Sequence, residues 1–596
     1  MAVLTGLTPG SARASDRPDA ADHRHAIAMH GTPKEAAGFA HFPYVDPEAP
    51  KGGRMVVGVS GSYDSLNPLI VRGNPVAGMR EYVFETLLAR SLDEPFSLYG
   101  LIARSVEMPE DRSSITFHLD ERARFSDGRA ITADDVVFSW QLLRDKGRPN
   151  HRTYYAKVAK AVRVGERTVR FEIDKGGDRE IPLILGLMPV LPKHLIDAAT
   201  FEQTTLTPPV GSGPYKIARV DAGRSVSYAR DPAYWGRDLP VNRGRFNFDE
   251  VRFEYFRDGA AMFEAFKAGD IDFWYEEDPA RWAGGYRIAA VEDGRIVKAE
   301  IATGLPAGMT AFVFNTRRPQ FADPRVRRAL IELFDFEWVN RNLFHGLYSR
   351  TQSYFERSYL SSHGRPADAA ERDLLAPFTG LVRADVLDGS HAFPKSDGTG
   401  QDRNSLRRAF DMLKAAGYGL QGATMIETKT GRPLTFEALV QSAAQERLLS
   451  GYIGTLARLG IKASVRVVDS AQYQSRISGY DFDMIQATWA SSLSPGNEQI
   501  FRWDSRMATT EGTYNWAGVA NPAADAMIRA MLAARDEAGF VSATRALDRV
   551  LISGDYVIPL FHLPKQWVAH WSHLAYPKTP PLMGYNIDIW WSAAKP

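Results

Sequence analysis

Cysteine is missing from all 596 residues. That rules out disulfides, thiolate metal sites and cysteine nucleophiles, and makes the chain indifferent to its redox compartment. An excess of one charge is missing too: 72 Lys+Arg stand against 71 Asp+Glu, so no net field draws in nucleic acid or an anionic membrane. Nucleic acid is not expected as a partner. No run reaches the ~18 apolar residues that a membrane-spanning helix needs. Two hydrolase signatures are lacking as well, the H-E-x-x-H helix and the G-x-S-x-G elbow, which Gly211-Ser212-Gly213 does not fit. The acid pairs Asp134-Asp135 and Glu276-Glu277 are direct neighbours, whose side chains point apart on a helix or strand. A secreted hydrolase is therefore the weaker alternative.

What is present suits a large globular protein. The length exceeds what one core supports and predicts two or three domains. Hydrophobic residues at 44% and charged residues at 24% are ordinary. The first residues, MAVLTGLTPGSARA, read as the tail of an export signal ending in Ala12-Arg13-Ala14, with residues 1–24 as a leader. His25 to Gly53 is rich in Pro and Gly and predicts an extended segment clamped to a surface. His23, His25, His30 and His41 lie close together in sequence. No pair has the i, i+4 spacing of a helical metal site and the pattern fixes no acidic partner, so no metal ligand and no cofactor is expected.

The stretch Ile115 to Trp140 carries the strongest local signals. Ile115, Phe117 and Leu119 alternate with polar residues as in a half-buried strand, and Asp127-Gly128 marks a turn. Thr132 and Asp135 stand in capping-box positions before the helical face of Val136, Val137, Trp140 and Leu143. Further elements follow in order: a strand at Met55 to Val59, a Pro-initiated helix start at Leu191 to Asp197, and a strand at Tyr215 to Val220 after Gly211 and Gly213. Next come a helix stopped by Gly269 and a strand at Thr310 to Thr316, then a helix capped by Asp323-Pro324. Two helix-Gly-strand units end in the strand Asp481 to Trp489, and Asp555 to Leu563 predicts a strand returning to the first lobe. This is the grammar of an α/β sheet with helices on its faces.

Ligands of open α/β sheets collect outside the carboxyl ends of strands. The loop after Asp481 to Trp489 is thus the prime candidate. Trp489 can stack on a ligand, Ser491 and Ser492 can bond a peptide backbone, and Asn497 offers donor and acceptor. Tyr514, Asn515 and Trp516 form an aromatic-polar cluster, and Tyr63, Asp64 and Ser65 sit in a loop leaving an early strand. Asp335, with Glu337 beside it, could pair with a cationic ligand group; Arg350 and Tyr354 are carboxylate and ring candidates.

Several of these segments resemble family 5 extracellular solute-binding proteins of ABC importers. The similarity runs through HAIAMHGTPKEAAGFAHFPYVDPEAPKGG, the Ile115 to Trp140 stretch, VGSGPYKIARV, DPAYWG, SLSPGNEQ, GTYNWAG, ALDRVL and Trp590-Trp591, and is closest to the YejA-type branch. The resemblance implies a bilobal α/β periplasmic-binding-protein fold of cluster C (type II), with an extra subdomain in the N-terminal lobe. In that scheme lobe 1 takes residues 25–90, 206–305 and 554–596, the subdomain 91–205, and lobe 2 306–553. It further implies a periplasmic, non-enzymatic, monomeric receptor for peptide-like ligands such as peptides, peptide antibiotics or muropeptides. Its partners would be ABC permease subunits, through which alone it meets the inner membrane. A nickel or haem carrier on the same fold is the alternative within the family. Where oligopeptide receptors place an acid for the peptide amino terminus, this chain has Ser491 and Ser492.

Overall fold

Arg54–Ser60 is the hub of a seven-stranded sheet in the computed structural model, which describes residues 23–174 and 179–593. The expectations for the leader and for Ala12-Arg13-Ala14 lie outside the described residues. The hub pairs in parallel with Glu250–Phe256 and Phe273–Glu276, and parallel neighbours need a crossover. The helix Gly259–Ala268 supplies it, capped by Asp258 accepting from the Ala261 N–H and stopped at Gly269, whose φ of 88° favours glycine. The remaining strands, in sheet order, put Ile296–Ile301 and Gln566–Trp571 on one side and Ser225–Arg230 and Tyr215–Asp221 on the other.

A second sheet of five strands runs in the order Lys462–Val467, Thr435–Val440, Met484–Trp489, Met309–Phe314 and Val557–Pro559. The strand Met309–Phe314, paired on both sides, explains its own composition. Met309, Ala311 and Val313 enter one hydrophobic core while Phe312 and Phe314 enter the other, so both faces are covered and Ala311 to Phe314 run apolar without a break. A four-stranded antiparallel sheet, Ala103–Glu107, Ser114–Leu119, Thr168–Ile173 and Val158–Gly165, forms a subdomain that shares its core with the first lobe. Against it lies the helix Ala133–Lys146, begun by the predicted capping box: the Thr132 N–H donates to the Asp135 carboxylate at 2.9 Å.

Gly211 and Gly213 let the chain run against the first lobe. The N–H groups of Ser212 and Gly213 donate to the Val83 carbonyl at 3.0 and 2.9 Å, and a Cβ on either glycine would overlap the carbonyl oxygen of Val83 or Tyr82.

Two expectations are corrected. Leu191 to Asp197 is a turn and not a helix start. The Leu191 N–H is held by Ser139 Oγ at 2.8 Å and the Lys193 N–H by the Asp135 carboxylate at 3.2 Å, which pins the segment to the capped helix. The strand within Asp555 to Leu563 stays in the second lobe, since Val557–Pro559 pairs with Met309–Phe314; the return to the first sheet is made by Gln566–Trp571. The lobes are therefore joined by two crossings, between Ile301 and Met309 and between His562 and Gln566.

Candidate functional site

The strand Met484–Trp489 delivers its carboxyl end to the edge of the second lobe, and a loop runs from there to the helix Glu498–Trp503. Trp489 is only 2% exposed. Its ring lies 4.7 Å from Trp503 and 5.1 Å from Trp516, and its Nε1 donates to the Tyr514 carbonyl at 3.0 Å. Tyr514 stands edge-on to Trp516 at 5.5 Å and is 56% exposed; its neighbour Phe501 is 51% exposed. A buried tryptophan thus backs a solvent-facing aromatic surface, a surface suited to stacking on apolar ligand groups.

The loop itself is shaped by small contacts. Ser491 Oγ donates to the Tyr354 carbonyl at 2.9 Å, Ser492 Oγ accepts from the Ser494 N–H at 3.2 Å, and the Gly496 N–H reaches both Glu498 carboxylate oxygens at 3.0 Å. Ser492 and Asn497 are exposed. Gly308, at the first crossing, packs directly on the Trp489 carbonyl with φ 71°, where a Cβ would collide. The lobe junction and the loop are in contact there.

The first lobe faces this loop across a cavity of ≈ 190 Å³. Ser494 to Gly496 and Glu498 form one wall, Pro95, Phe96, Leu98 and Leu183 the other, with Arg90, His30 and Glu180 contributing polar groups. Arg90 is exposed, and its guanidinium makes no hydrogen bond or ion pair among the described residues. His30 stacks on Phe540 of the second lobe at 4.7 Å, and Phe96 meets the same ring edge-on at 5.0 Å. Burial, aided by the nearby Arg112 and Arg179, pushes the His30 pKa down to about 4, so its ring is neutral. A larger cavity, ≈ 640 Å³, lies between Pro75 to Tyr82 and Tyr585 to Asp588. All its walls belong to the first lobe and its subdomain, so lobe closure does not shape it, and the interlobe cavity is the better candidate.

Several predicted site residues are engaged by partners within the fold. Tyr63 is buried and its hydroxyl lies 3.0 and 2.7 Å from the carbonyls of Asp221 and Ser225. Ser65 is buried, and Asp64 accepts from the Asn74 N–H at 2.6 Å. Asp335 caps the helix Phe336–Leu343 through the Trp338 N–H and also accepts from the Gly400 N–H at 2.8 Å, while Glu337 accepts from Ser396. Arg350 is buried among Phe334, Phe336 and Phe393 and donates to the Pro394 carbonyl; Tyr354 is buried against Trp503 at 5.1 Å. Asn515 closes its own turn, accepting from the Val519 N–H at 2.7 Å. Sequence reasoning weighed His30 only as a metal ligand and passed over Arg90, Phe96 and Phe501. Only tertiary contact brings the first three to the loop, and no local pattern marks them.

These two lobes and the crevice between them define a solute-binding protein of cluster C. A family model described as bacterial extracellular solute-binding proteins, family 5 Middle, matches residues 97–509, and the chain belongs to that family, one of non-catalytic solute binders. A homologue from Brucella melitensis is 48% identical over 604 residues, taking in 100% of this chain and 97% of the homologue. The peptidoglycan-binding protein YepA of Agrobacterium fabrum is 45% identical over 586 residues, 96% of this chain and 95% of YepA. Among solved structures, the oligopeptide-binding protein AppA of Bacillus subtilis, in complex with a nonapeptide, shares the fold with a TM-score of 0.60. It is 20% identical, with 92% of this chain and 100% of that one covered.

Proposed function

We propose that the protein is a periplasmic receptor that closes two lobes on a peptide-like ligand and delivers it unaltered to the permease of an ABC importer. The supporting observation is the crevice itself. A strand-end loop backed by Trp489 faces an apolar wall of the first lobe, and both crossings that join the lobes lie in short segments. Closure of such a hinge buries an extended ligand, whose amide groups can be met by main-chain and serine partners while the aromatic surface adds affinity. The names of YepA and AppA, a peptidoglycan binder and an oligopeptide binder, point to amide-bearing ligands of the same kind. Within the crevice Arg90 pairs with a ligand carboxylate, and Ser491, Ser492, Asn497, Tyr514 and Trp516 line the peptide path. With serines at the loop position, the ligand amino terminus is not read by a carboxylate there. The receptor acts as a monomer and meets the inner membrane only through the permease.

Native mass spectrometry of protein taken from its own host tests this. An intact peptide, peptide antibiotic or muropeptide leaving with the protein is expected. Cleaved products on incubation with a peptide mixture would instead establish a hydrolase, and nickel or haem displaced by peptide would establish a metal carrier.

A further inference from the structure

The four-stranded sheet of the subdomain gathers on one face three residues with metal-binding donors. Ser114–Leu119 buries Ile115, Phe117 and Leu119 on its inner side, which leaves His118 on the outer side. In the antiparallel register His118 is opposite Ser105 on one neighbour and Thr168 on the other, so Glu107, two residues along from Ser105, shares its face. Before the sheet the chain makes one more pairing: Arg24 and Val106 exchange N–H to carbonyl bonds of 2.9 and 2.8 Å. That register sets His23 opposite Glu107. Residues far apart in sequence, 23, 107, 118 and 168, therefore line up across successive strands.

The side chains converge as the register requires. His118 Nε2 lies 2.7 Å from Glu107 Oε1, and His23 Nδ1 lies 3.3 Å from the same oxygen. One donor atom from each of the three falls within 4.8 Å of the others. Thr168 Oγ1 lies 3.4 Å from the far nitrogen of His118, the place where metal-bound histidines are held in orientation by a partner. Two imidazoles and one carboxylate, partly open to solvent at 54%, 19% and 30% exposure, offer three ligands and leave room for water.

We propose that His23, Glu107 and His118 bind a first-row divalent metal ion of the zinc or nickel class. Two imidazoles beside one carboxylate suit such ions, whereas magnesium and calcium prefer all-oxygen ligand sets. Around an ion with ligand bonds of about 2.0–2.1 Å, neighbouring donors stand roughly 3.3 Å apart; the His23 to Glu107 spacing has that value already, and the His118 to Glu107 spacing opens by about 0.6 Å. This site lies on the subdomain sheet, away from the residues lining the interlobe cavity. Its effect is to fasten the segment around His23 and Arg24 to the sheet.

The full-length protein is stripped with EDTA and titrated with Zn²⁺ alone by calorimetry, and with Co²⁺ followed by visible absorption. One Zn²⁺ per chain is expected, with affinity at least about tenfold weaker in each of His23→Ala, Glu107→Gln and His118→Asn. Co²⁺ gives the absorption bands of a low-coordinate nitrogen-oxygen site, lost in the same variants. A variant changing His25 and His41 to Gln keeps wild-type affinity. His23 is exposed, so its replacement does not endanger folding, and circular dichroism checks the other two. No stoichiometric binding, wild-type affinity in the three variants, or loss of binding in the His25/His41 variant would each overturn the proposal and leave a hydrogen-bonded surface cluster.

Discussion

The Arg357 guanidinium reaches the carbonyl of Leu305 at 3.0 Å, on the first of the two crossings between the lobes. Its Nη1 takes the carbonyl of Leu563 at 2.5 Å, on the second. One side chain therefore ties both connections together, from a residue held at φ 69°, a conformation uncommon for any residue but glycine. The Ala307 N–H, donating to the Glu356 carbonyl at 2.9 Å, anchors the same turn to the first crossing.

Replacing Arg357 by Ala removes two charge-assisted bonds at the hinge, each worth about 1.5–3 kcal/mol when buried; partial exposure puts the expected loss near the lower value. The lobes then sample wider openings. Small-angle scattering of the ligand-free variant should show a larger radius of gyration, and ligand affinity should fall. Arg357→Lys does not restore the wild type, because an ammonium lacks the fork that spans both carbonyls. Scattering curves that superimpose for Arg357→Ala and the wild type would remove the hinge role.

His30 gives the molecule a sensitivity to acid. Its pKa lies at about 4 in the fold against an ordinary 6.5, through burial and then Arg112 and Arg179, with Asp536 opposing. The folded state thus binds this proton less tightly than the unfolded chain. Its stability contribution is complete above about pH 6.5 and is lost as the pH falls toward 4, by at most about 3 kcal/mol. His151 and His562 are lowered to about 4 as well and share the trend. His30→Phe keeps a ring against Phe540 and should flatten the fall in urea midpoint between pH 6.5 and 4.5 without abolishing it. An unchanged slope would show that the His30 ring is protonated without cost.

Much of the architecture was readable because its signals are local. The Thr132 and Asp135 box, the Gly269 stop, the Asp323 cap and the doubly buried strand around Phe312 each declare themselves within a few residues. The failures share a cause. Leu191 to Asp197 has a helix-start composition, but its amides are claimed by Ser139 and Asp135. Asp335 and Arg350 are charged residues whose neighbours could not be known from sequence, and tertiary partners absorb them. His118 sat in plain view on an alternating strand, yet only the register reveals that His23 and Glu107 stand beside it.

Arg90 borders the crevice without a partner among the described residues, so its charge is available to a ligand carboxylate. Arg90→Ala should weaken binding of a peptide with a free carboxyl terminus by about tenfold or more, and leave its carboxamide counterpart nearly unchanged, since a lost charged hydrogen bond is worth about 1.5–3 kcal/mol. Calorimetry on the four combinations isolates the coupling. Equal losses for the acid and the amide would remove Arg90 from carboxylate recognition.

Trp489 and Tyr514 separate support from contact. Trp489 is enclosed by Trp503 and Trp516 and bonded to the Tyr514 backbone, so Trp489→Ala opens a cavity and should cost about 3–5 kcal/mol of stability. Tyr514 projects its ring to solvent, and truncating an exposed side chain changes stability by no more than about 0.5 kcal/mol. Tyr514→Ala should therefore unfold at the wild-type denaturant concentration and still bind peptide at least tenfold more weakly, because the ring forms the outer layer of the stacking surface over Trp516. If Tyr514→Ala binds as the wild type does, the peptide path does not pass over this surface and must run along the Ser491 and Ser492 side of the loop.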